Sequence, residues 1–309
     1  MILFIPHFLM PFGNHTLLLS LEGGILAFGH NNVGQLGLGH TDNQLEPVEV
    51  PWNGKQPVQV DWGNAHSLVL DAEGVVWDAG NSRSSPSSTF QQVPKLPAMT
   101  MVAAGENQSA AIDTEGGLWV WTSETDLSWA SFLPQRVEGL PPLLKVALGK
   151  DFLVAEAEEG TLWVLGDNEE GQLGLGHTEY AVRPTLVQVE DRSEGPLRCL
   201  AALYDAVILI DWQGTVFSSG YNIRGQLGRS YPYVSWRLSP IKNIPPMVVA
   251  SCGASHTLCL DENGGAWAWG WGAYGQTGMG NTCIQEEPAP IPFLKGISAL
   301  VAGRYHSTR

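Results

Sequence analysis

The chain has 309 residues, of which 44% are apolar, and 31 acidic residues outnumber 16 Lys and Arg, which gives a formal net charge of −15. Clustered cations are needed for phosphate contacts, so this balance argues against direct nucleic-acid binding, whereas it suits a basic protein partner. Gly (36) and Trp (12) are abundant, and no stretch keeps a 3.6-residue apolar period, which favours short strands and tight turns over helices.

The first twelve residues, MILFIPHFLMPF, are apolar. They are too short to cross a bilayer and lack the basic start and small-residue cleavage site of a signal peptide. We expect an edge strand or a packing segment here, and no membrane span in the chain.

A repeat then runs through the sequence, marked by a His or its substitute in a Gly-x-x-His-[Ser/Thr] context. Successive marks are 51, 42, 44, 54, 50 and 50 residues apart, and 14 residues after each of the first six comes a Gly in five cases. A period of about 50 residues is typical of propellers and solenoids. The marks are His15, His66, Gln108, Phe152, Ala206, His256 and His306.

A second signature, Gly-Gln-Leu-Gly or Gly-Gln-Thr-Gly, begins five residues after the repeat Gly in four units. Its first residues are Gly34, Gly171, Gly225 and Gly275. Because the four His and these Gly recur at one position of many units, whereas a catalytic group is needed only once, we predict that they are structural.

Each unit is predicted to form four short strands. An apolar run is followed by a Gly reversal, a second strand, an acidic turn such as Asp261-Glu262-Asn263-Gly264, and a third strand rich in aromatic residues. The Gly-Gln-Leu-Gly segment then leads to an outer edge strand, where Pro is tolerated. Units two and three lack this segment, so we expect shortened outer strands there. The predicted units are 13–62, 63–104, 105–148, 149–202, 203–252, 253–302 and a partial unit 303–309, all within one domain, 1–309.

The pattern G-x-x-H-[ST]…D-x-x-G-x-[VL]-[WF]-x-[WS]-G-x-N-x-x-G-Q-L-G, clearest from Gly253 to Gly280, resembles the repeat of the regulator of chromosome condensation family. The resemblance covers nearly the whole chain and implies an all-β propeller, seven-bladed in the family. Six recognisable blades and a partial seventh leave two alternatives. One is a six-bladed or imperfectly closed ring, and the other is a piece of a longer chain. We favour a truncated seventh blade whose gap the first dozen residues partly fill.

The residues just before the repeat His are expected to emerge together on one rim of the propeller, and their side chains are not repeated. Constant framework with variable loop tips is the usual layout of a binding face. The predicted partner-binding rim consists of Asn14, Asn107, Asp151, Asp205, Ser255 and Tyr305. In the family's founding member this face engages a Ran-type GTPase through acidic and His side chains. Asp151 and Asp205 match the acidic type, and no His occupies this position here.

No catalytic site, cofactor or metal site is predicted. The four Cys form no CxxC pair and lie at no zinc spacing from a His, and Gly-Gln-Leu-Gly lacks the Lys-[Ser/Thr] of a P-loop. The cluster Arg224, Arg229, Arg237 and Lys242 is read as a solvated loop. A tryptophan-based light receptor of the same fold is disfavoured, because no Trp lies between the Gly and His of a repeat.

The leading hypothesis is therefore a non-catalytic propeller that binds a protein partner through its rim. The alternative is a guanine-nucleotide exchange factor for a small Ran-like GTPase, and a third interpretation is one module of a longer protein. The absence of basic runs of the nuclear-import type favours the cytoplasm, with the nucleus as the alternative compartment.

Overall fold

The computed structural model describes residues 13–20, 22–83, 85–124, 129–292, 294, 296 and 300–308. The predicted packing segment 1–12 lies outside them. The described chain is all-β, a propeller with six blades, and it divides into two compact units, Met1–Leu148 and Gly149–Arg309. Whether 1–309 forms a single domain stays a prediction. No helix in the described ranges is long and apolar enough to cross a membrane.

The first unit contains blades 1 to 3 and one further strand. Blade 1 has the strand order β1-β2-β3, blade 2 the order β4-β5-β6-β7, and blade 3 the order β8-β9-β10-β11. The strands are β1 His15–Leu19, β2 Ile25–Gly29, β3 Gln44–Glu49, β4 Pro57–Trp62, β5 His66–Asp71, β6 Val76–Gly80, β7 Ser87–Gln92, β8 Met99–Ala104, β9 Gln108–Asp113, β10 Leu118–Thr122, β11 Gln135–Arg136 and β12 Leu143–Leu148.

The second unit continues the pattern. Blade 4 contributes β13-β14-β15, blade 5 has the order β16-β17-β18-β19, and blade 6 has the order β20-β21-β22-β23. The strands are β13 Phe152–Ala157, β14 Leu162–Gly166, β15 Ala181–Val187, β16 Cys199–Leu203, β17 Ala206–Ile210, β18 Val216–Tyr221, β19 Val234–Pro240, β20 Met247–Cys252, β21 His256–Asp261, β22 Ala266–Gly270, β23 Gln285–Pro290, β24 Val301–Ala302 and β25 Ser307–Thr308. The pair β24–β25 is too small to confirm a partial seventh blade.

The 14-residue spacing of the repeat is the register of a hairpin. Each of the first six marked residues begins a strand and lies opposite the residue 14 positions later, which is the repeat Gly in five of them, as His66 does opposite Gly80 and His256 opposite Gly270. Because the signature starts after the first strand, the sequence units are offset from the sheets by one strand. For example, β4 lies in unit 13–62 but pairs with β5 of blade 2.

The hairpin turns after β5, β9 and β21 are each held by one carboxylate. Asp261 Oδ1 accepts hydrogen bonds from the N–H of Asn263 and Gly265, and its Oδ2 accepts one from Trp267 Nε1 at 2.9 Å. The same three bonds recur around Asp71 and Asp113. Trp77, Trp119 and Trp267 therefore have equivalent contacts and are only half-buried, whereas Trp163 Nε1 donates to Thr161 Oγ1. The position two residues later is the buried one, as Trp121 and Trp269 show.

The apolar core lies between neighbouring sheets. One cluster joins Leu68 and Val76 of blade 2 to Val102 and Trp121 of blade 3, and a second joins Leu258 and Ala268 of blade 6 to Leu300 and Ala302, all among further apolar side chains. The strands β5, β9, β13, β17 and β21 are buried along their whole length, as expected for strands covered on both faces, whereas outer strands such as β3 and β23 are half-buried or exposed.

The outer strands correct one prediction. In blade 3 the outer strand β11 has only two residues, as expected for a unit without Gly-Gln-Leu-Gly. In blade 2 the outer strand β7 has six residues, so the predicted shortening was wrong there. The missing segment shortens the connection before the strand, and the strand itself keeps its length.

Candidate functional site

The predicted rim residues lie at one end of their sheets, opposite the hairpin turns. For all of them except Tyr305, the carbonyl accepts the N–H of the residue that follows the repeat Gly or its substitute. Thus Asp151 pairs with Asp167, Asp205 with Tyr221 and Ser255 with Trp271, at 2.8–2.9 Å. In the first unit the corresponding pairs are Asn14 with His30, Ala65 with Asn81 and Asn107 with Ser123.

The second unit brings aromatic and basic rim residues together in one arc. Arg224 stacks over the indole of Trp271, with its guanidinium carbon 4.2 Å from the ring centroid. Trp271, Tyr274 and Tyr305 pack edge to face as a triangle, with centroids 5.1, 5.7 and 5.8 Å apart. Tyr274 is 69% exposed and Tyr305 37% exposed. Such large exposed rings at a loop end are available for contact with another molecule.

The arc continues through a second set of stacked cations. Arg304 lies 5.4 Å from the ring of Tyr305 and 5.8 Å from that of Tyr204, and Lys150 lies 5.3 Å from the same Tyr204 ring. Lys150 Nζ is also 4.0 Å from Asp151 Oδ2. We call these residues the aromatic–basic arc. Its members are Arg224, Trp271, Tyr274, Tyr305, Arg304, Tyr204 and Lys150.

Acidic side chains lie beside the arc. Burial raises the pKa of Asp205 to about 6, Lys150 opposes this rise, and the neighbouring carboxylates of Glu170, Asp167 and Asp151 add to it. Burial is the main cause of the rise, and the three carboxylates lie near enough to Asp205 to disfavour its charged form. Of the six predicted rim residues, the structure thus brings Asp151, Asp205, Ser255 and Tyr305 to one end of the second unit.

Replacing Asp205 with Asn is expected to stabilise the protein at pH 7.5 and to have little effect near pH 4. The folded-state pKa, about 6, lies above the ordinary value of 3.8, so the stability that is fully present below pH 4 is lost as the pH rises through 6. After a discount for solvent screening, we expect a gain of roughly 1–2 kcal/mol at pH 7.5. Urea unfolding from pH 4 to 8 measures it. Asp42→Asn, at a carboxylate with a 90% exposed side chain, is the control. If the stability of the wild type and that of Asp205→Asn depend on pH in the same way, the pKa of Asp205 is not raised.

The repeat histidines His15, His66 and His256 are buried, and each contacts a Ser of the next sheet. His15 Nε2 lies 2.8 Å from Ser67 Oγ, which in turn donates to the carbonyl of Gln35 at 2.7 Å. Since a hydroxyl has one proton to donate, the imidazole is the donor to Ser67. His256 makes the same contact with Ser307, which donates to the carbonyl of Gln276.

Burial keeps these rings neutral. It lowers the pKa of His66 to about 4 and that of His256, with a smaller contribution from His306, to about 3. It also lowers the pKa of His306, which is partly exposed. This geometry supports a structural role for the His, which stays a prediction. The four signature glycines, Gly34, Gly171, Gly225 and Gly275, all have φ between +70° and +85°.

In the first unit the predicted rim residues have different surroundings. Asn14 is exposed, and Asn107 Nδ2 donates to Glu124 Oε1 at 2.5 Å. Neighbouring rim loops contact each other there too, since Asn64 N donates to the carbonyl of Glu106.

Sequence reasoning missed most of the arc. Trp271 and Asp167 occupy the position 16 residues after the rim residue, and Arg224 and Tyr274 lie in the following connection. The constant spacing of 16 residues was the available signal, because the hydrogen bond between the two positions places both at the same end of a blade. The supposed basic patch is divided. Arg224 joins the arc, whereas Arg229 is turned into blade 5.

Within the described ranges, no group of three or more His, Cys, Asp or Glu is arranged to hold a metal ion. Cys199, Cys252 and Cys259 are buried and Cys283 is exposed, and these four residues form no disulfide.

Comparison with known proteins identifies the repeat. The model of the regulator of chromosome condensation (RCC1) repeat matches residues 22–70, 159–196, 213–260 and 263–308, and a second model of the same repeat matches 249–276. The regulator of chromosome condensation of Xenopus laevis is 27% identical over 95% of this chain and 78% of its own length.

Two further relatives share the repeat or the fold. The ultraviolet-B receptor UVR8 of Arabidopsis thaliana is 27% identical over 91% of this chain and 56% of its own length. The crystal structure of Prp20p from Saccharomyces cerevisiae, described together with its binding to Gsp1p and histones, superposes with a TM-score of 0.86 at 21% identity, covering 96% of this chain and 80% of that one. The chain belongs to the regulator of chromosome condensation (RCC1) repeat family.

Proposed function

We propose that the protein is a non-catalytic interaction propeller that binds a protein partner through the rim of its second unit. The observation that carries the proposal is the aromatic–basic arc, because Trp, Tyr and Arg are the residue types that dominate the energy of protein interfaces. Aromatic rings that are already held by their neighbours lose little side-chain entropy on binding, so more of their contact energy contributes to the affinity.

The charges on the rim fit a partner whose surface has both basic and acidic parts. The arc carries three cations, Arg224, Arg304 and Lys150, and beside it lie Asp151, Asp205 and their acidic neighbours. In a chain of net charge −15, long-range attraction favours a basic partner. The short-range pattern of the rim then selects the orientation of that partner.

The test begins with affinity capture of partners, followed by binding measurements with the purified partner. Trp271→Ala and Tyr305→Ala are each expected to weaken binding by about tenfold or more, in line with interface anchors. Asp151→Ala, Asp205→Ala and Asn107→Ala measure the contributions of the other predicted rim residues.

The matched control is Trp212→Ala. Trp212 is 60% exposed and lies in the hairpin turn after β17, at the opposite end of blade 5 from the rim. Its removal is expected to leave the affinity unchanged. If the rim variants bind as the wild type does, or if Trp212→Ala is the variant that loses binding, the rim of the second unit is not the interface.

A second candidate is nucleotide exchange on a small GTPase. It is favoured by the acidic rim residues Asp151 and Asp205 and by the relatives, among them Prp20p with its binding to Gsp1p. Such a factor would act by pressing a loop against the phosphate and magnesium site of the GTPase, without bond chemistry of its own. Release of labelled GDP from a panel of small GTPases tests it. No acceleration at micromolar protein removes this candidate and leaves the binding proposal intact.

A further inference from the structure

The connection after the third strand normally closes against the outer strand of the next blade. From blade 1, Leu38 forms a β-bridge with Thr89, and Gly39 N donates to the carbonyl of Ser88 at 2.7 Å. From blade 4, Leu175 bridges Arg237, and Gly176 N donates to the carbonyl of Trp236, also at 2.7 Å. A Leu-Gly pair makes both contacts.

Blade 5 departs from this pattern. Its Leu-Gly pair is replaced by Arg229-Ser230, and no such bridge to β23 of blade 6 is found among the described residues. A cavity of about 290 Å³ occupies this place, enough for roughly nine water volumes. Its lining includes Arg229, Lys242 and Glu287, together with apolar residues such as Ile241 and Pro288.

The cavity wall carries the cation Arg229, which forms no ion pair with a carboxylate of the described residues. Arg229 Nη2 donates to the carbonyls of Ser218 and Ser239, both at 3.0 Å, and to Ser218 Oγ. All three acceptors are neutral. Burial lowers the pKa of Arg229 to about 10, which is the mark of a charge held away from water without compensation.

A second cation and one acidic residue complete the lining. Lys242 is exposed on the loop that follows β19, and Glu287 is exposed on β23. In the part of the chain that the structure describes, neither of them forms an ion pair, and Arg229 forms none. The lining therefore has a net positive charge in a strongly acidic protein.

We propose that this cavity, the Arg229 pocket, binds a small oxyanion of the phosphate or carboxylate type. Guanidinium and ammonium groups are the usual donors to such oxygens, and a partly buried site strengthens each bond. The replacement of Leu-Gly by Arg-Ser both opens the cavity and supplies its charge. The pocket does not depend on the proposed function of the rim, since none of its lining residues belongs to the aromatic–basic arc.

Calorimetric titration of the full chain tests the proposal, with inorganic phosphate in one arm and acetate in the other, at constant ionic strength set by chloride. Saturable binding of either anion is expected, and the preferred anion identifies the ligand class. Lys242→Gln, at an exposed residue that should not affect folding, is expected to weaken binding by roughly tenfold.

Lys95→Gln, which removes the same charge from an exposed residue of the first unit, is expected to bind as the wild type does. Arg229→Lys keeps the charge and loses the forked donor geometry, so it should also weaken binding. The proposal is overturned if neither anion binds saturably, or if Lys242→Gln and Lys95→Gln bind equally well.

Discussion

Replacing Gly270 with Ala is expected to lower the free energy of unfolding by about 3–5 kcal/mol. Gly270 ends β22 with φ +98°, a conformation that costs an L-residue strain. An added Cβ would also lie 2.5 Å from the carbonyl oxygen of Ser255 and 2.8 Å from Cα of His256. Both obstacles are main-chain atoms of the paired strand, so relief requires the hairpin to separate.

The matched control is Gly275→Ala in the same blade. Gly275 has φ +77°, and no atom lies within 4 Å of its added Cβ. Only the strain of the left-handed conformation remains, about 1–2 kcal/mol. Denaturant unfolding of both variants measures the difference. Equal losses of stability in the two variants would contradict the close contact between Gly270 and the main chain of Ser255 and His256.

The second large effect is expected at Trp269. Its side chain is fully buried, and its Nε1 donates to the carbonyl of Gln226 at 3.0 Å. Trp269→Ala should cost about 3–5 kcal/mol through lost burial and the resulting cavity. The loss appears as a lower denaturant midpoint in an unfolding experiment.

A pair of conservative variants separates the hydrogen bond from the packing. Trp121 is equally buried at the same position of blade 3, but no acceptor for its Nε1 is found among the described residues. Trp269→Phe should therefore cost about 1 kcal/mol more than Trp121→Phe, because only the former breaks a hydrogen bond. If Trp121→Phe costs as much or more, the bond to Gln226 contributes nothing to stability.

The blades were predictable because their determinants are local. The 14-residue offset from His66 to Gly80 is the register of one hairpin. Asp71 accepts hydrogen bonds from groups two, four and six residues further on, as Asp113 and Asp261 do in their turns. A spacing that recurs in several units reports such contacts directly. The family resemblance added the propeller arrangement.

The proposed binding surface was predictable only in part, because its contacts join distant positions. Asp151, Asp205 and Tyr305 could be named from their place before the repeat position. The aromatic and basic residues that surround them come from other blades and from connections whose sequence varies. The contact of Arg224 with Trp271, 47 residues apart, has no spacing rule. The Arg229 pocket was missed for a related reason, since the sequence does not reveal that Arg229 turns into the blade.

Hydrogen–deuterium exchange of the protein with and without its purified partner tests most directly the claim that the rim of the second unit is the binding surface. On partner binding we expect slower amide exchange in 149–151, 203–205, 271–275 and 303–306, where the arc and its acidic neighbours lie. The turns at 158–160, 212–214 and 262–264, at the other end of the same blades, should exchange at unchanged rates. Protection of these turns with an unprotected rim would contradict the account.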